Sequence, residues 1–281
     1  MNISLCTITF RHHLLSLKDI ARWAQEHDFQ GIELWGAHAR NIEKHLAYDA
    51  DWLDDFGLSV PMLSDYLPTD ADRRTVCDSA TALCRAARRW RAGKIRTFAG
   101  KRGSHEVDAG EWATVSARLR DMCAIAADHG LLLLVETHPN TLADSTASTI
   151  RLIESVDHPA FAINFDALHL WEAGDDPVLA HSMLQAYTAH YHLKNVRSRD
   201  DLNVFEPANV YAAAGRREGM TPLFEGKMDY VAFLEELSGA GDVDASLEWF
   251  GNDCFDVLRR DRRAIRRLAD GVSEPLRAGA A

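Results

Sequence analysis

Short apolar runs and longer amphipathic stretches take turns along this chain. The runs are ISLCTITF (3–10), GIELW (31–35), LSVPML (58–63), KIRTFA (94–99), LLLLVETH (131–138), FAINFDAL (161–168), HYHLKN (190–195) and ASLEWF (245–250). Their length and apolar content suit buried strands. Between them, LKDIARWAQEH, EWATVSARLRDMCAIAADHG and STASTIRLIESV carry apolar residues at helical spacing. Gly130 closes the second of these as a C-cap, and Asp144 or Ser145 opens the third as an N-cap. Strand then helix, eight times over, predicts a single (β/α)8 TIM barrel of the α/β class over residues 1–270. A frayed tail is expected over 271–281. No GxGxxG follows the first strand, so dinucleotide binding is not expected.

One connection is abnormal. More than thirty residues separate HYHLKN from the next helical pattern near Asp229. Connections of that length in a compact domain are functional or disordered. Phe205, Tyr211 and Phe224 lie in it, and they predict a packed lid near 195–228.

Composition narrows the partners. With 281 residues and 47% hydrophobic content, the chain suits one large domain. A formal charge of -11 disfavours nucleic acid and anionic membranes as partners. The five cysteines form no CxxC pair, and their odd number fits reduced thiols and a cytoplasmic location. The N-terminus MNISLCTITFRHH has neither a basic n-region nor a long apolar h-region, so no signal peptide is expected. No run of 18 apolar residues suggests a membrane span. A homo-oligomer is left open.

In a TIM barrel the chemistry sits at the C-terminal ends of the strands. There the sequence places Glu33 and Trp35 on strand two, Arg96 on four, and Glu136 and His138 on five. Asp166 ends strand six with His169 just beyond. His190, His192 and Lys194 come from strand seven, and Glu248 from eight. Side chains on a strand alternate faces. If Leu133 and Val135 face the helices, Glu136 and His138 both face the barrel axis. The opposite phase would desolvate an unpaired carboxylate between sheet and helices. Several acids converging on one axis repel unless a cation lies between them. Glu136, Asp166, His192 and Glu248 make an oxygen-rich set for a divalent metal, Mn²⁺ or Mg²⁺ first, with Co²⁺ or Zn²⁺ as further options. Glu33 could orient a substrate or take part in catalysis. Arg96 could equally be an ordinary barrel ion pair, and His12 and His13 could simply be solvated.

These four ligand positions resemble the xylose-isomerase-like sugar phosphate isomerase and epimerase superfamily. The stretches SLCTITFRHHLLS, GIELWGAHARN, KIRTFAGKRGS, LVETHPNTLADS, HYHLKN, MTPLFEG and SLEWFG resemble, more narrowly, the petrobactin-pathway type of 3-dehydroshikimate dehydratase. VFEPANVYAAAG departs from that family's pattern only by Ala208 in place of an asparagine. The resemblance runs from residue 3 to about residue 260. It implies a metal-dependent hydro-lyase that turns 3-dehydroshikimate, a small anion, into protocatechuate (3,4-dihydroxybenzoate). The steps are α-proton abstraction, a metal-stabilised enolate and loss of the C5 hydroxyl. The setting is siderophore synthesis or aromatic catabolism.

For that chemistry His138 is the first choice of base, because it shares a strand face with Glu136. Lys194 or His169 is expected to bond the enolate oxygen or protonate the leaving hydroxyl. Arg96 suits the substrate carboxylate, with Lys194 or Arg102 as substitutes. Tyr66, Phe205 and Tyr211 are expected to wall the ring. The main rival is a metal-dependent sugar or ketose isomerase or epimerase with Glu136 and Glu248 as paired bases. An endonuclease would need a basic groove. A non-catalytic binding barrel would not need His138 and Lys194 beside a complete ligand set.

Overall fold

In the computed structural model, which describes residues 1–239 and 241–271, eight parallel strands close on one another. They are β1 (Asn2–Cys6), β2 (Gly31–Trp35), β3 (Leu63–Ser64), β4 (Lys94–Thr97), β5 (Leu132–Glu136), β6 (Phe161–Asp166) and β7 (Thr188–Leu193). Two short strands outside the barrel follow, β8 (Asn195–Val196) and β9 (Met220–Thr221), and then the last barrel strand, β10 (Asp244–Leu247). β10 pairs with both β7 and β1, which closes the barrel. The helices are α1 (Leu17–Glu26), α2 (Gly36–Asn41), α3 (Ala50–Asp54), α4 (Arg73–Arg89), α5 (Ala109–Asp128) and α6 (Thr146–Val156). α7 (Ala167–Ala173), α8 (Pro177–Leu184), α9 (Pro207–Val210), α10 (Tyr230–Gly239) and α11 (Cys254–Ala269) complete the set. Among the described residues no helix is long and apolar enough to cross a membrane. Of the expected tail at 271–281, all but Gly271 lies outside the described residues.

The alternation expected on β5 is present. Leu133 and Val135 join the main core between sheet and helices, while Leu134 turns inward onto Met62 and Ala162. That inner cluster is small. A TIM barrel interior is usually filled by layers of branched apolar side chains. Here Glu33, Arg96, Glu136, Asp166, His190 and His192, at alternate inward positions of their strands, are all buried polar groups instead. The fold has given up ordinary barrel packing in order to hold charge.

Several strands are shorter than their apolar runs, for physical reasons. The run 3–10 pairs only to Cys6, and Thr7–Phe10 forms a 3-10 turn. The hydroxyls of Thr7 and Thr9 accept the backbone N–H groups of Trp35 and Trp249, standing in for ladder carbonyls. The run 58–63 contributes only Leu63 to the regular ladder, in a strand that ends at Ser64. Pro61, just before it, has no N–H to donate. On β6 the carboxylate of Asp166 caps α7 by accepting the His169 N–H, so the chain turns helical at Ala167. The caps of the longer helices follow expectation, with Ser145 rather than Asp144 as the N-cap of α6 and Gly130 in left-handed backbone after α5. Asp144 instead accepts the Ser104 N–H.

The segment after β7 is not an unstructured loop. β8 and β9 pair antiparallel, and a 3-10 turn (Arg199–Phe205) leads to α9. The buried Asn195 side chain bonds the backbones of Leu223 and Met228. Asp201 collects Arg197, Ser198 and Arg216. Both carboxylate oxygens of Asp261 on α11 accept the Leu223 N–H at 3.1 Å, which ties this segment to the barrel wall.

Burial pushes the Asp261 carboxyl up to about 7. An acid with a raised folded-state pKa favours the protonated fold. Its contribution is fully present below the unfolded value, near 4, and is lost as pH rises through about 7. Asp261→Asn keeps an acceptor for Leu223 but cannot ionise. It is expected to match wild type at about pH 5 and to melt about 2 °C or more above it at about pH 8. Parallel thermal melts at the two pH values check this; equal melting temperatures at both would refute it.

Candidate active site

At the C-terminal mouth of the barrel lies a cavity of about 390 Å³. Glu136, His138, His169, Lys194, Glu248 and Arg96 reach it from five different strands or strand ends. Tyr66, Phe98, Phe205, Tyr211 and Phe250 wall it. The Tyr211 hydroxyl donates to the Tyr66 hydroxyl at 2.6 Å, joining the long segment to the loop after β3. Of the three aromatics expected in a lid, Phe205 and Tyr211 line the cavity, whereas Phe224 packs against the main core.

Below the cavity, Glu136, Asp166, His192 and Glu248 bring one ligand atom each within 4.8 Å of one another. His192 Nδ1 lies 3.5 Å from Glu136 Oε2 and 3.5 Å from Glu248 Oε2. Within the set, Glu136 Oε2, Asp166 Oδ2 and His192 Nδ1 are buried without an aligned hydrogen bond, although Arg96 Nε lies 3.0 Å from the first and Lys194 Nζ 2.5 Å from the second. His192 Nδ1 faces only acid oxygens, and a buried polar atom whose hydrogen bond is not made costs about 1–3 kcal/mol. Charge points the same way. Glu33, Glu136, Asp166 and Glu248 are four buried acids, opposed by two buried permanent cations, Arg96 and Lys194. One divalent ion removes the deficit. The residues present therefore fit a metal.

The same field sets the protonation of the set. Burial works against every charge here, yet Arg96 and His192 hold Glu136 well below the usual carboxylate range. Lys194 lowers Asp166 as well, with Nζ 2.5 Å from Oδ2. The Lys194 ammonium also donates to Glu248 Oε2 at 2.8 Å, and its acid neighbours raise its pKa against burial. Burial would lower His192, but Glu248, Glu33 and Glu136 raise it well above the usual value. His138 goes the other way: burial and the neighbouring His169 push it down to about 3. Its Nδ1 lies 2.8 Å from the Pro139 carbonyl, so Nδ1 carries the proton and Nε2 the lone pair. The His169 ring sits 4.4 Å from it, with Nδ1 2.8 Å from Glu172 Oε2.

Arg96 packs between Glu136 and two aromatic rings. Its Nε lies 3.0 Å from Glu136 Oε2, outside hydrogen-bond alignment, and its guanidinium sits over the rings of Tyr66 and Phe98. Its Nη1 has no hydrogen-bond partner. Arg102 faces away, onto Glu111 and the Glu106 carbonyl, while Lys101, which donates to Asp70, lines the cavity. Glu33 does not fit a substrate-binding place. It is fully buried under the ligand set and bonds Ser64 and His192. It shares the charge of the centre.

Sequence reasoning passed over Arg11. It donates from Nε to the Val210 carbonyl at 2.6 Å and from Nη2 to the Phe250 carbonyl at 3.2 Å, pinning α9 to the end of the last strand. The neighbouring His12 and His13 are exposed, as expected. A single arginine after a strand gives no signal that distinguishes a staple from a solvated charge.

Residues 21–271 match the family described as xylose isomerase-like TIM barrel. The chain is 44% identical to a 3-dehydroshikimate dehydratase of Bacillus anthracis over 271 residues, 94% of this chain and 96% of that one. The solved structure of a probable 3-DHS dehydratase involved in petrobactin synthesis, also from B. anthracis, superposes with a TM-score of 0.89 over 95% of this chain and 99% of that one, at 44% identity. The zinc-binding IolI protein superposes at 0.73 over 98% of both chains with 13% identity, a likeness of fold alone.

Proposed function

This chain belongs to the xylose isomerase-like TIM barrel family, and on that premise we propose that it dehydrates 3-dehydroshikimate to protocatechuate in siderophore synthesis. The observation that carries this is the 44% identity running through nearly the whole length of both chains. The substrate is a cyclic enone with a C3 ketone, hydroxyls on C4 and C5 and a carboxylate on C1.

Glu136, Asp166, His192 and Glu248 would hold a divalent cation, Mn²⁺ or Mg²⁺ before Co²⁺ or Zn²⁺, which supplies Lewis-acid polarisation of the ketone and so acidifies the C4–H bond. The chain does the rest. His138 Nε2 takes the C4 proton. The electron pair left on C4 expels the C5 hydroxyl, which Lys194 or His169 protonates so that it departs as water. Loss of one C6 proton and protonation of the C3 oxygen then complete the aromatic ring. The partner-free Nη1 of Arg96 takes the substrate carboxylate. Tyr66, Phe205 and Tyr211 cover the ring and exclude water, which strengthens each charge interaction inside. The rival epimerase reading handles a neutral sugar and leaves the partner-free Nη1 of Arg96 without an anion to bind.

The test is turnover of 3-dehydroshikimate by the purified chain with Mn²⁺, followed by the ultraviolet absorbance of the catechol, with a ketose as control. Epimerised ketose and unchanged 3-dehydroshikimate would reverse the assignment. In the same assay Arg96→Ala is expected mainly to raise KM, by the loss of about 2–5 kcal/mol that truncating one partner of a buried charge pair brings. An unchanged KM would move the carboxylate site to Lys101 or Lys194.

A further inference from the structure

Glu33 is the one charged group of the centre that neither reaches the cavity nor belongs to the four-ligand set. Its position under His192 gives it a different task. His192 Nε2 lies 3.1 Å from Glu33 Oε1 and 3.0 Å from Oε2. The other ring nitrogen, Nδ1, faces Glu136 and Glu248 and has no hydrogen-bond partner. A ring nitrogen that binds a cation must be free of its proton, and a neutral imidazole then carries that proton on the other nitrogen. Ionised Glu33 can only accept. It therefore holds the hydrogen on Nε2, so that the proton an ion would displace from His192 is the one on Nδ1, the nitrogen facing Glu136 and Glu248.

Glu33 is itself fixed. The Ser64 hydroxyl donates to Oε1. His190 Nε2 lies 3.4 Å from Oε2 and 2.8 Å from the Ser246 hydroxyl. Glu33, His190 and His192 also come close enough together to hold an ion of their own. Yet none of their side-chain atoms is among the buried atoms lacking a hydrogen-bond partner, apart from His192 Nδ1 on the far side. They form a satisfied hydrogen-bonded group, not a second metal site.

We infer that Glu33 is a positioning residue for His192, fixing its tautomer and ring orientation for the metal, with Ser64 and His190 holding Glu33 in turn. The inference rests on the metal-centre reading above. Carboxylates in this relation to a ligating histidine change metal affinity by about 10–100-fold when replaced.

The experiment is Mn²⁺ binding to the full chain after chelator dialysis, read as free Mn²⁺ by electron paramagnetic resonance, with the visible spectrum of the Co²⁺-loaded protein beside it. Glu33→Gln keeps the shape but must present an amide N–H where a carboxylate oxygen now accepts. Its Mn²⁺ Kd is expected to rise about 10–100-fold, and its Co²⁺ bands to shift, while the metal-free protein melts as wild type does. A Kd within twofold of wild type overturns the inference whatever the spectrum shows. If Glu33→Gln gives no cooperative melt, Ser64→Ala replaces it: a Kd raised threefold or more supports the inference, and an unchanged Kd overturns it. Wild-type protein that binds no Mn²⁺ would instead remove the metal centre itself, and this inference with it.

Discussion

Protein dialysed against EDTA is expected to lose turnover of 3-dehydroshikimate altogether and to recover it when Mn²⁺ or Mg²⁺ is returned. The reason is electrostatic as much as chemical. Four buried acids face two buried permanent cations. Without an ion the remaining compensation falls on His192, whose acid neighbours raise its pKa well above the usual value. The ion must displace that proton, so its affinity should fall as pH falls. Glu136→Gln removes one ligand charge and leaves Arg96 beside a neutral amide. Its metal affinity should drop by at least about 10²-fold, beyond the range usual for an outer-shell partner. Metal content by mass spectrometry and the assay on the same samples decide the point. Full turnover at negligible metal content would sink the idea.

How much of this was legible in the sequence differs from element to element. The barrel was, because eight apolar runs separated by helical patterns have few other solutions. That Glu136, Asp166, His192 and Glu248 come together was also legible. Period two puts Glu136 on the same face as Leu134, and Leu134 does point into the barrel. What alternation cannot give is height along the barrel axis. Glu33 and Glu136 both turn inward, yet Glu136 reaches the cavity and Glu33 does not. That depends on strand stagger, which is set by pairing between strands far apart in sequence. It turned a supposed substrate contact into a group that bonds His192. Strand ends were misjudged where side chains replaced the ladder, at Thr7 and Thr9, or where Pro61 interrupted it. The anchors of the long segment, Arg11 and Asp261, were invisible for a related reason. Each acts through a backbone group distant in sequence, Val210 for one and Leu223 for the other.

His138→Asn is expected to keep the fold and the metal while cutting kcat by about 10²-fold or more, the usual size of general-base catalysis. His138 lines the cavity two residues after Glu136, so the backbone of one strand end fixes the proposed base and the proposed ligand relative to each other. Its Nδ1–H is held by the Pro139 carbonyl, which turns the lone pair of Nε2 outward from that bond. Asparagine can still donate to Pro139 but has no basic nitrogen to take the C4 proton. Burial and His169 push His138 down to about 3, so its imidazole is neutral and able to accept at any pH above that value. Its protonation would extinguish activity only as pH falls through about 3. A base that weak would need an α-proton already acidified, which the proposed metal site would supply. Losing the base should lower kcat and kcat/KM together, because the interaction exists only in the transition state. Two measurements settle the assignment: the metal content of the variant, and its exchange of the C4 proton with deuterated water. A variant that binds metal normally and still exchanges that proton at the wild-type rate would pass the role of base to Lys194 or His169, whose side chains line the same cavity.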